Sequence, residues 1–216
     1  MAADLPNELG RPPVQDNRAV RDNGAVRDKH ALRAVARAVR RRRDVAELTD
    51  AASRLADRVE GLVAVRAAST VATYLSVGAE PPTSALIERW RARGLPVLLP
   101  VVLADLDLDW ALDDGTRRPS ALRRIDEPAG PRLGPGAVAR ADVLVVPALA
   151  VDLAGRRLGQ GGGSFDRALV RARPDALVVA LLHDEEVSTE PLPVEPHDRP
   201  VDVIVTPDRV IHIGES

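Results

Sequence analysis

A glycine-rich segment between residues 156 and 167 has the composition and spacing of a site that binds an anion. Four glycines fall within five positions of this segment: Gly159, Gly161, Gly162 and Gly163. Backbone amides in such a loop can surround phosphate oxygens, and the N-terminus of the helix predicted to follow adds partial positive charge. The segment is neither a P-loop nor a dinucleotide-binding fingerprint, because the Lys-Ser/Thr pair and the third glycine are missing. Arg157 and Asp166 flank the glycines and favour a phosphate site over an ordinary surface loop.

A second segment, residues 193–202, supplies a carboxylate that could hold a metal ion. His197 and Asp198 lie there in a proline-rich loop that leads into a predicted strand. Mg²⁺ prefers one or two carboxylates together with water and phosphate oxygens. Asp198 and Asp166 are therefore candidate magnesium ligands. The alternative is that His197 orders this loop and that the loop binds nothing.

Other polar residues allow more than one interpretation. Glu80 follows a predicted strand, where a carboxylate can bind an amine-rich ligand or cap the next helix, and the residues alone favour capping. The pairs His183-Asp184 and His197-Asp198 raise the alternative of a metal-dependent phosphohydrolase. That class normally uses more histidines than the four in this chain, so this alternative is disfavoured.

Residues 29–43 form a strongly basic segment without a single acidic residue. Arg33, Arg37 and either Arg40 or Arg41 are spaced so that they share one face of a predicted helix. Lys29, the one lysine of the chain, lies at the start of this helix. Such a face is usually solvated, and the functional alternative is an edge that binds phosphates or nucleic acid.

These residues must be positioned by strands and helices that alternate along the chain. This alternation predicts an α/β fold with three layers, α/β/α, in which a mostly parallel open sheet has helices on both faces. Apolar strands without alternation are typical of such a covered sheet. Strands are predicted at residues 70–77, 97–103, 110–112, 143–147, 176–182, 201–206 and 210–213. Helices are predicted at residues 45–62, 83–93 and 165–173. Residues 113–140 are expected to be irregular, with a short helical piece near Ala137. Ligands of these folds bind beyond the carboxyl ends of the strands.

The helix at residues 45–62 has the clearest amphipathic pattern in the chain. Its apolar residues follow a spacing of three and four and predict one buried stripe. The stripe consists of Val45, Leu48, Ala52, Leu55, Val59 and Leu62. Asp44 or the Thr49-Asp50 region can cap its start, and Gly61 marks its end.

The composition predicts one domain that follows an N-terminal extension. Residues 1–28 are rich in proline, glycine and polar residues, so we expect them to be disordered. Residues 29–216 are expected to form a single domain. The chain of 216 residues has a formal net charge of -2 and no cysteine, which excludes disulfides, thiolate metal sites and a cysteine nucleophile.

Further features of the composition limit the partners that we expect. Aromatic residues make up 2% of the chain, which argues against recognition of nucleic acid by base stacking. No apolar run approaches the roughly 18 residues of a membrane span. The N-terminus also lacks the apolar region of a secretory signal. We therefore expect a cytoplasmic protein with no membrane partner and no nucleic-acid partner.

Taken in order, these segments resemble the 5-formyltetrahydrofolate cyclo-ligase family. The strongest part is the run Arg157-Leu-Gly-Gln-Gly-Gly-Gly-Ser-Phe-Asp-Arg167, which is similar to the family's Arg-Leu-Gly-Tyr-Gly-Gly-Gly-Tyr-Tyr-Asp-Arg. The resemblance covers about residues 29–206. Its supporting pieces are Lys29 with Arg33, Tyr74 with Ser76, Gly78 and Glu80, the segment 125–128, and residues 195–202 around Asp198.

The resemblance implies an enzyme that uses ATP and Mg²⁺ to convert 5-formyltetrahydrofolate into 5,10-methenyltetrahydrofolate, with release of ADP and phosphate. It assigns Arg157 and Asp166 to catalysis, and Asp166 and Asp198 to Mg²⁺. It assigns ATP contacts to Lys29, Arg33, Arg157, Leu158, Gly159, Gln160, Gly161, Gly162, Gly163, Ser164 and Phe165. The folate contacts that it implies are Tyr74, Glu80, Ser164 and Phe165.

The chain departs from the family pattern where tyrosines are usual. Gln160 and Ser164 replace two of them, and Phe165 replaces a third while keeping the ring. We expect a monomeric enzyme whose partners are ATP and a reduced folate. One alternative is a divergent paralogue that binds nucleotide but acts on another substrate or none. A second alternative is a nucleic-acid-binding module that uses residues 29–43.

Overall fold

The structure is a computed structural model that describes residues 17–121, 125–193, 195 and 198–214, with side chains described from Lys29 onward. The α-helices are α1 (Asn17–Arg40), α2 (Val45–Gly61), α3 (Val63–Ala67), α4 (Ser84–Ala92) and α5 (Ser164–Arg171). Short 3-10 helices occur at Pro135–Arg140 and Asp184–Glu186. The strands are β1 (Val71–Ala72), β2 (Val97–Val102), β3 (Leu108–Leu112), β4 (Arg117–Pro119), β5 (Asp126–Pro128), β6 (Val143–Pro147), β7 (Ala150–Asp152), β8 (Arg157–Leu158), β9 (Leu177–Leu181), β10 (Val187–Ser188), β11 (Val203–Val205) and β12 (Val210–His212).

The central sheet has seven strands in the order β12-β11-β9-β6-β1-β2-β3. All of its inner strands run parallel, whereas β12 and β3 pair antiparallel at the two edges. The predicted mostly parallel α/β sheet is therefore confirmed. The chain builds outward from β1 in both directions, so β1 and β6 are neighbours across a topological switch point, where ligands of open α/β sheets bind.

Strand β6 shows why the sheet needs helices on both faces. Val143 and Val145 belong to the core cluster that includes α2 and α4, whereas Leu144 and Val146 belong to the cluster that includes α5. None of these side chains is more than 1% exposed. Because successive residues of a strand point to opposite faces, an entirely apolar strand must be covered on both sides.

Helix α2 begins with the cap that the sequence predicts. The Asp44 carboxylate accepts a hydrogen bond from the Glu47 amide at 2.9 Å, and the Glu47 carboxylate accepts one from the Asp44 amide at 3.1 Å. This reciprocal capping box satisfies two amides at the helix start. Leu55 and Val59 are buried as predicted. The placement of Val45 in the buried stripe is wrong, because it is the first helical residue and stays 80% exposed.

The strands that the sequence did not predict are all two or three residues long. Residues 113–140 were expected to be irregular, but they include the antiparallel pair β4–β5 as well as the expected helical turn around Ala137. A small sheet, β10-β7-β8, was also not predicted. Strands of two or three residues are too short to show a periodic pattern. The strand predicted at 70–77 is shorter than expected, because only β1 (Val71–Ala72) pairs with its neighbours.

The first described element is α1. It begins at Asn17, so its backbone extends into the predicted N-terminal extension, and residues 1–16 lie outside the described part of the chain. Once a helix is nucleated, each added residue gains a hydrogen bond at little cost, which accounts for the extension of the basic helix toward the N-terminus. Within the described ranges, no helix combines the length and apolar character needed to cross a bilayer.

Candidate active site

A polar cavity of about 240 Å³ lies beside the glycine-rich segment and the first turns of α5. The segment begins with β8, which was not predicted, and leads into α5, as predicted. The predicted site residues that line this cavity are Lys29, Arg33, Arg157, Leu158, Gly159, Gly161, Gly163, Asp166 and Asp198. Arg167, Val170 and Glu195 complete the lining. The fold thus brings together basic and acidic residues from three distant segments.

Arg157 is the buried cation of the polar cavity. Its side chain is 5% exposed, and its Nη2 atom contacts Oδ1 of Asp166. Its Nη1 atom is buried and has no hydrogen-bond partner in the described part of the chain. A guanidinium is always charged, and a buried N–H group without a partner costs free energy. A phosphate oxygen in the cavity would supply the missing acceptor, so the site fits an anionic ligand.

The arginines of α1 hold the glycine-rich segment in place. Arg33 Nε donates to the carbonyl of Gly159 at 2.9 Å. One helical turn later, Arg37 Nη2 donates to the carbonyl of Gln160 at 2.7 Å, and its Nε donates to the Gln160 side chain at 3.1 Å. The prediction that Arg33 and Arg37 share a helical face is confirmed. That face contacts the glycine-rich segment and is therefore not simply solvated.

Two glycines of the segment adopt a backbone conformation that other residues rarely reach. Gly161 has a φ of +103° and Gly163, which precedes α5, has a φ of +68°. The segment therefore needs glycine at these positions for its course between α1 and α5.

The two candidate magnesium ligands line the same cavity. Asp166 contacts Arg157, and Asp198 Oδ2 accepts a hydrogen bond from the Glu195 amide at 2.8 Å. Lys29 Nζ lies 3.2 Å from Oε1 of Glu195 and 4.0 Å from Oδ2 of Asp198. Among the described residues no cluster of three or more metal-ligating side chains occurs. His197 lies outside the described residues.

A second cavity, of about 510 Å³, adjoins the first and is mostly apolar. Its apolar lining consists of Tyr74, Leu75, Val77, Pro100, Val102, Leu108, Ile125, Pro147 and Phe165. Tyr74 follows β1 and Pro147 ends β6, so this cavity lies at the switch point of the sheet. The two cavities share the lining residues Arg157, Gly159, Gly161, Gly163 and Asp166. A ligand in either cavity would therefore meet the same loop.

The structure divides the predicted ATP contacts between the two cavities. Gln160, Gly162, Ser164 and Phe165 line the apolar cavity and are absent from the lining of the polar one. Phe165 is held by an edge-on contact with Trp110, with ring centroids 6.4 Å apart. The residues that replace the family's tyrosines thus all face the apolar cavity.

Glu80 is a carboxylate in the wall of the apolar cavity. Its Oε2 accepts a hydrogen bond from the Val77 amide at 3.0 Å, and its Oε1 accepts one from Gln160 Nε2 at 3.2 Å. Burial raises the pKa of Glu80, although the Val77 amide and the charge of Arg40 oppose part of this effect. The interpretation of Glu80 as a cap of α4 is wrong, because its hydrogen bonds go to its own loop and to the glycine-rich segment.

Tyr74 and His183 support the loop that carries Glu80. The Tyr74 hydroxyl donates to the Pro81 carbonyl at 2.7 Å, and burial raises the pKa of this phenol well above its ordinary value. His183 is 1% exposed, and its Nε2 lies 3.1 Å from the Ala79 carbonyl. Asp184 accepts a hydrogen bond from the Thr206 hydroxyl. His183 and Asp184 thus contact protein groups, and among the described residues they belong to no cluster of three or more metal-ligating side chains.

Sequence reasoning missed several residues of the two cavities. Arg167 lines the polar cavity, and its signal was present, since it ends the glycine-rich motif without having been given a role. Ile125 and Asp126 line the apolar cavity and belong to the segment 125–128 that supported the resemblance. Pro100 and Leu108 carry no such signal, because they come from strands that reach the cavity only through the fold.

With this geometry in place, comparison with known proteins is informative. The family model of the 5-formyltetrahydrofolate cyclo-ligase family matches residues 25–207. The chain belongs to this family. The resemblance stated from the sequence is thereby confirmed over nearly the whole of the proposed domain.

Relatives in the cyclo-ligase family agree with this assignment. The 5-formyltetrahydrofolate cyclo-ligase of Mycolicibacterium smegmatis (strain ATCC 700084 / mc(2)155) is 41% identical over 151 residues, which are 66% of this chain and 75% of the relative. The 5-formyltetrahydrofolate cyclo-ligase of Escherichia coli (strain K12) is 37% identical over 154 residues, which are 66% of this chain and 80% of the relative. These names confirm the prediction that the chain is a ligase.

Solved structures of family members share the fold. The NMR structure of Aquifex aeolicus 5,10-methenyltetrahydrofolate synthetase superimposes with a TM-score of 0.74 and 27% identity, covering 87% of this chain and 94% of the other. A 5,10-methenyltetrahydrofolate synthetase from Mycoplasma pneumoniae gives a TM-score of 0.66 at 17% identity, covering 83% of this chain and 99% of the other. At that identity the second structure supports the fold alone.

Proposed function

We propose that this cyclo-ligase family member uses ATP and Mg²⁺ to convert 5-formyltetrahydrofolate into 5,10-methenyltetrahydrofolate, with ADP and phosphate released. The observation that carries the proposal is the pair of adjoining cavities. One is polar and contains a buried arginine, the other is apolar, and they meet at Arg157, Asp166 and the glycine-rich segment. This arrangement suits a reaction between ATP and a folate whose rings pack against apolar side chains.

The polar cavity supports the ATP side of the proposal. Arg157 Nη1 lacks a partner among the described residues, and a phosphate oxygen would complete its hydrogen bonding. Lys29 and Arg33 add positive charge from α1. The backbone at Gly161 and Gly163 permits close approach of a phosphate group, as glycine loops do before a helix.

The apolar cavity supports the folate side of the proposal. Phe165, fixed by Trp110, offers an aromatic face, and Val102, Leu108 and Ile125 provide further apolar surface. Glu80 offers a carboxylate to the amino and ring N–H groups of a reduced pterin. We propose that the protein acts as a monomer, since the residues assigned to both substrates line cavities of one chain.

The proposed reaction begins when the formyl oxygen attacks the γ-phosphorus of ATP and the bond to ADP breaks. N10 of the folate then attacks the activated formyl carbon, phosphate leaves, and N10 loses its proton as the new C–N bond closes the ring. This chemistry needs no nucleophilic side chain. Its demands on the protein are alignment of the two substrates and neutralisation of the negative charge on the phosphates, for which Arg157, Lys29 and Arg33 are placed.

Asp166 and Asp198 fit a role in holding Mg²⁺. Both carboxylates line the polar cavity together with the basic residues, and Mg²⁺ in such sites takes one or two carboxylates and completes its shell with phosphate oxygens and water. When bound, the ion would neutralise charge on the phosphates. The Glu195 amide orients Asp198, and Arg157 orients Asp166.

The proposal is tested by following the absorbance of the methenyl product formed from 5-formyltetrahydrofolate, with ATP and Mg²⁺ each omitted in turn. We expect turnover to require both, and Asp166→Asn to lower kcat/KM by about 10²–10³-fold. Asp175→Asn is the matched control, because Asp175 is 75% exposed and pairs with Arg173 away from both cavities. Binding of ATP without any methenyl product would instead favour the divergent paralogue.

A further inference from the structure

We propose that Arg167 is a further phosphate-binding residue of this site and that the turn between β2 and β3 positions it. The inference rests on the proposed binding of ATP in the polar cavity and adds a residue to it. Arg167 lies in the first turn of α5 and lines the polar cavity with Arg157 and Arg33. Its ligand would be the phosphate oxygens of a nucleoside triphosphate.

The contacts of Arg167 hold its guanidinium across the glycine-rich segment. Nη2 donates to the carbonyls of Gly162 and Asp105, each at 3.3 Å. A Cβ atom at position 163 would lie 3.1 Å from Arg167 Nη1, so the absence of a side chain at Gly163 leaves the space that this guanidinium occupies. The side chain remains 40% exposed and is therefore accessible to a ligand in the cavity.

In the described part of the chain, Arg167 forms only a long ion pair. Its Nε lies 3.8 Å from Oδ1 of Asp107. Asp107 is instead engaged by Arg171, which donates from Nη1 at 2.9 Å and from Nη2 at 2.6 Å. The hydrogen bond from Arg171 is the main reason why the pKa of Asp107 is lowered. Arg171 thus satisfies the carboxylate, and Arg167 keeps long, weak hydrogen bonds that an anion can replace.

The turn at residues 103–107 is built to reach the glycine-rich segment. Leu106 has a φ of +66°, a conformation that a residue with a branched side chain rarely adopts. The turn is closed by the hydrogen bond from the Leu103 amide to the Asp107 carbonyl at 2.8 Å. Cδ1 of Leu106 lies 3.8 Å from the position of a Cβ at Gly162. Strained residues of this kind persist where the surrounding structure requires them, often at functional sites.

These observations assign complementary positions to two arginines. Arg157 is buried at the junction of the two cavities, whereas Arg167 lies on the open side of the polar cavity. A planar guanidinium can donate two parallel hydrogen bonds to a phosphate group. Arg167 is therefore placed to bind the phosphate chain from solvent as ATP enters, with Asp105 and Asp107 as positioning residues.

The first test measures MgATP binding by calorimetry and the KM values for ATP and 5-formyltetrahydrofolate in Arg167→Ala and Arg167→Lys. We expect Arg167→Ala to weaken MgATP binding about tenfold or more, as for a lost hydrogen bond to a charged group, with little change in the KM for folate. Lysine should restore part of the affinity, because it keeps the charge but loses the planar fork. Arg173→Ala is the control, since Arg173 pairs with Asp142 and Asp175 outside the cavity.

The second test is a double-mutant cycle between Arg167 and Asp107. We expect Asp107→Asn to weaken MgATP binding in the wild-type background and to have no further effect in Arg167→Ala. Equal effects in both backgrounds would overturn the positioning role of the turn. Asp107→Glu provides a second variant if Asp107→Asn does not fold, and thermal unfolding identifies that case.

The outcomes separate this inference from the proposed function. If the wild-type protein binds MgATP and Arg167→Ala binds it equally well, the role of Arg167 is wrong while the ATP site stands. If the wild-type protein does not bind MgATP, the proposed function fails and the inference fails with it. A loss that is equal for Arg167→Ala and Arg173→Ala would also overturn the inference, because it would reflect net charge alone.

Discussion

Arg157 and Glu80 are charged side chains whose burial is not fully compensated by protein contacts. Arg157 Nη1 has no partner among the described residues, and Glu80 keeps a carboxylate in a place where burial raises its pKa. Groups of this kind reduce the free energy of unfolding unless a ligand satisfies them. Their presence in the walls of adjoining cavities is the residue-scale argument that both cavities bind charged or polar groups.

Glu80 leads to a prediction about pH. Because its pKa in the folded protein is raised above the ordinary value of 4.5, its stabilising contribution is complete below that pH and is lost as pH rises through the folded pKa. We expect Glu80→Gln to be more stable than the wild type at pH 7 and above, with the difference vanishing in acid. The same variant should raise the KM for 5-formyltetrahydrofolate about tenfold.

Urea unfolding across a pH series measures the first effect, and steady-state kinetics measure the second. Glu190→Gln is the control, because Glu190 is exposed and lies outside both cavities. A Glu80→Gln variant that is less stable than the wild type at neutral pH would show that the carboxylate is held for stability and not for ligand binding.

At the scale of elements, α1 contacts both the glycine-rich segment and the residues that support the Glu80 loop. Arg33 and Arg37 hold the glycine-rich segment, and Arg40, at the end of the helix, forms a buried ion pair with Glu186. Arg40 Nε lies 2.6 Å from Oε1 of Glu186 and Nη2 lies 2.8 Å from Oε2. Glu186 also accepts the amide of His183, the residue whose ring contacts the Glu80 loop. One helix therefore connects the two sides of the site.

The ion pair of Arg40 leads to a prediction about stability. Both side chains are about 5% exposed, so Arg40→Met leaves the Glu186 charge buried without its cation. The expected loss is about 3–5 kcal/mol in the free energy of unfolding, measured by urea titration. Arg42→Met is the matched control because Arg42 is exposed. Recovery of stability in Arg40→Met with Glu186→Gln would confirm that the unpaired charge causes the loss, whereas no recovery would assign it to packing.

At the scale of the whole molecule, the sheet places the apolar cavity at the carboxyl ends of its central strands β1 and β6, and the polar cavity adjoins it. β1 and β6 are parallel neighbours, and Tyr74, just after β1, and Pro147, the last residue of β6, both line the apolar cavity. The phosphate side is contributed by α1, by the continuous segment from β8 to α5, and by Glu195 and Asp198, which are three separate parts of the chain. A ligand that contacts all of these elements would favour the folded state over the unfolded one.

This leads to a prediction about protection by ligand. At a concentration one hundred times its Kd, MgATP should stabilise the folded protein by about 2.7 kcal/mol. For a domain of this size that corresponds to a rise in Tm of about 5–10 °C. Thermal unfolding with and without MgATP measures the shift. Arg157→Gln should abolish it, and an undiminished shift in this variant would remove Arg157 from the ATP site.

Local features of the site were predictable from the sequence. The glycine-rich motif, the capping box at Asp44 and the long apolar strands are encoded within a few neighbouring residues, since backbone preference and periodicity act over that distance. The same information indicated the α/β class and the family. It could not indicate the short strands β7, β8 and β10, which form because they pair with one another.

The partition of the site into two cavities was decided by tertiary structure alone. Arg33 and Gly159 are 126 positions apart, Arg40 and Glu186 are 146 apart, and Gln160 and Glu80 are 80 apart. No local pattern reports which residues meet across such separations. The fold turned Arg40 inward as a structural cation, made Glu80 a cavity wall instead of a helix cap, and set Gln160 and Ser164 on the apolar side. Residue type and local spacing indicated the candidate site residues, whereas packing between distant parts of the chain determined which residues each of them contacts.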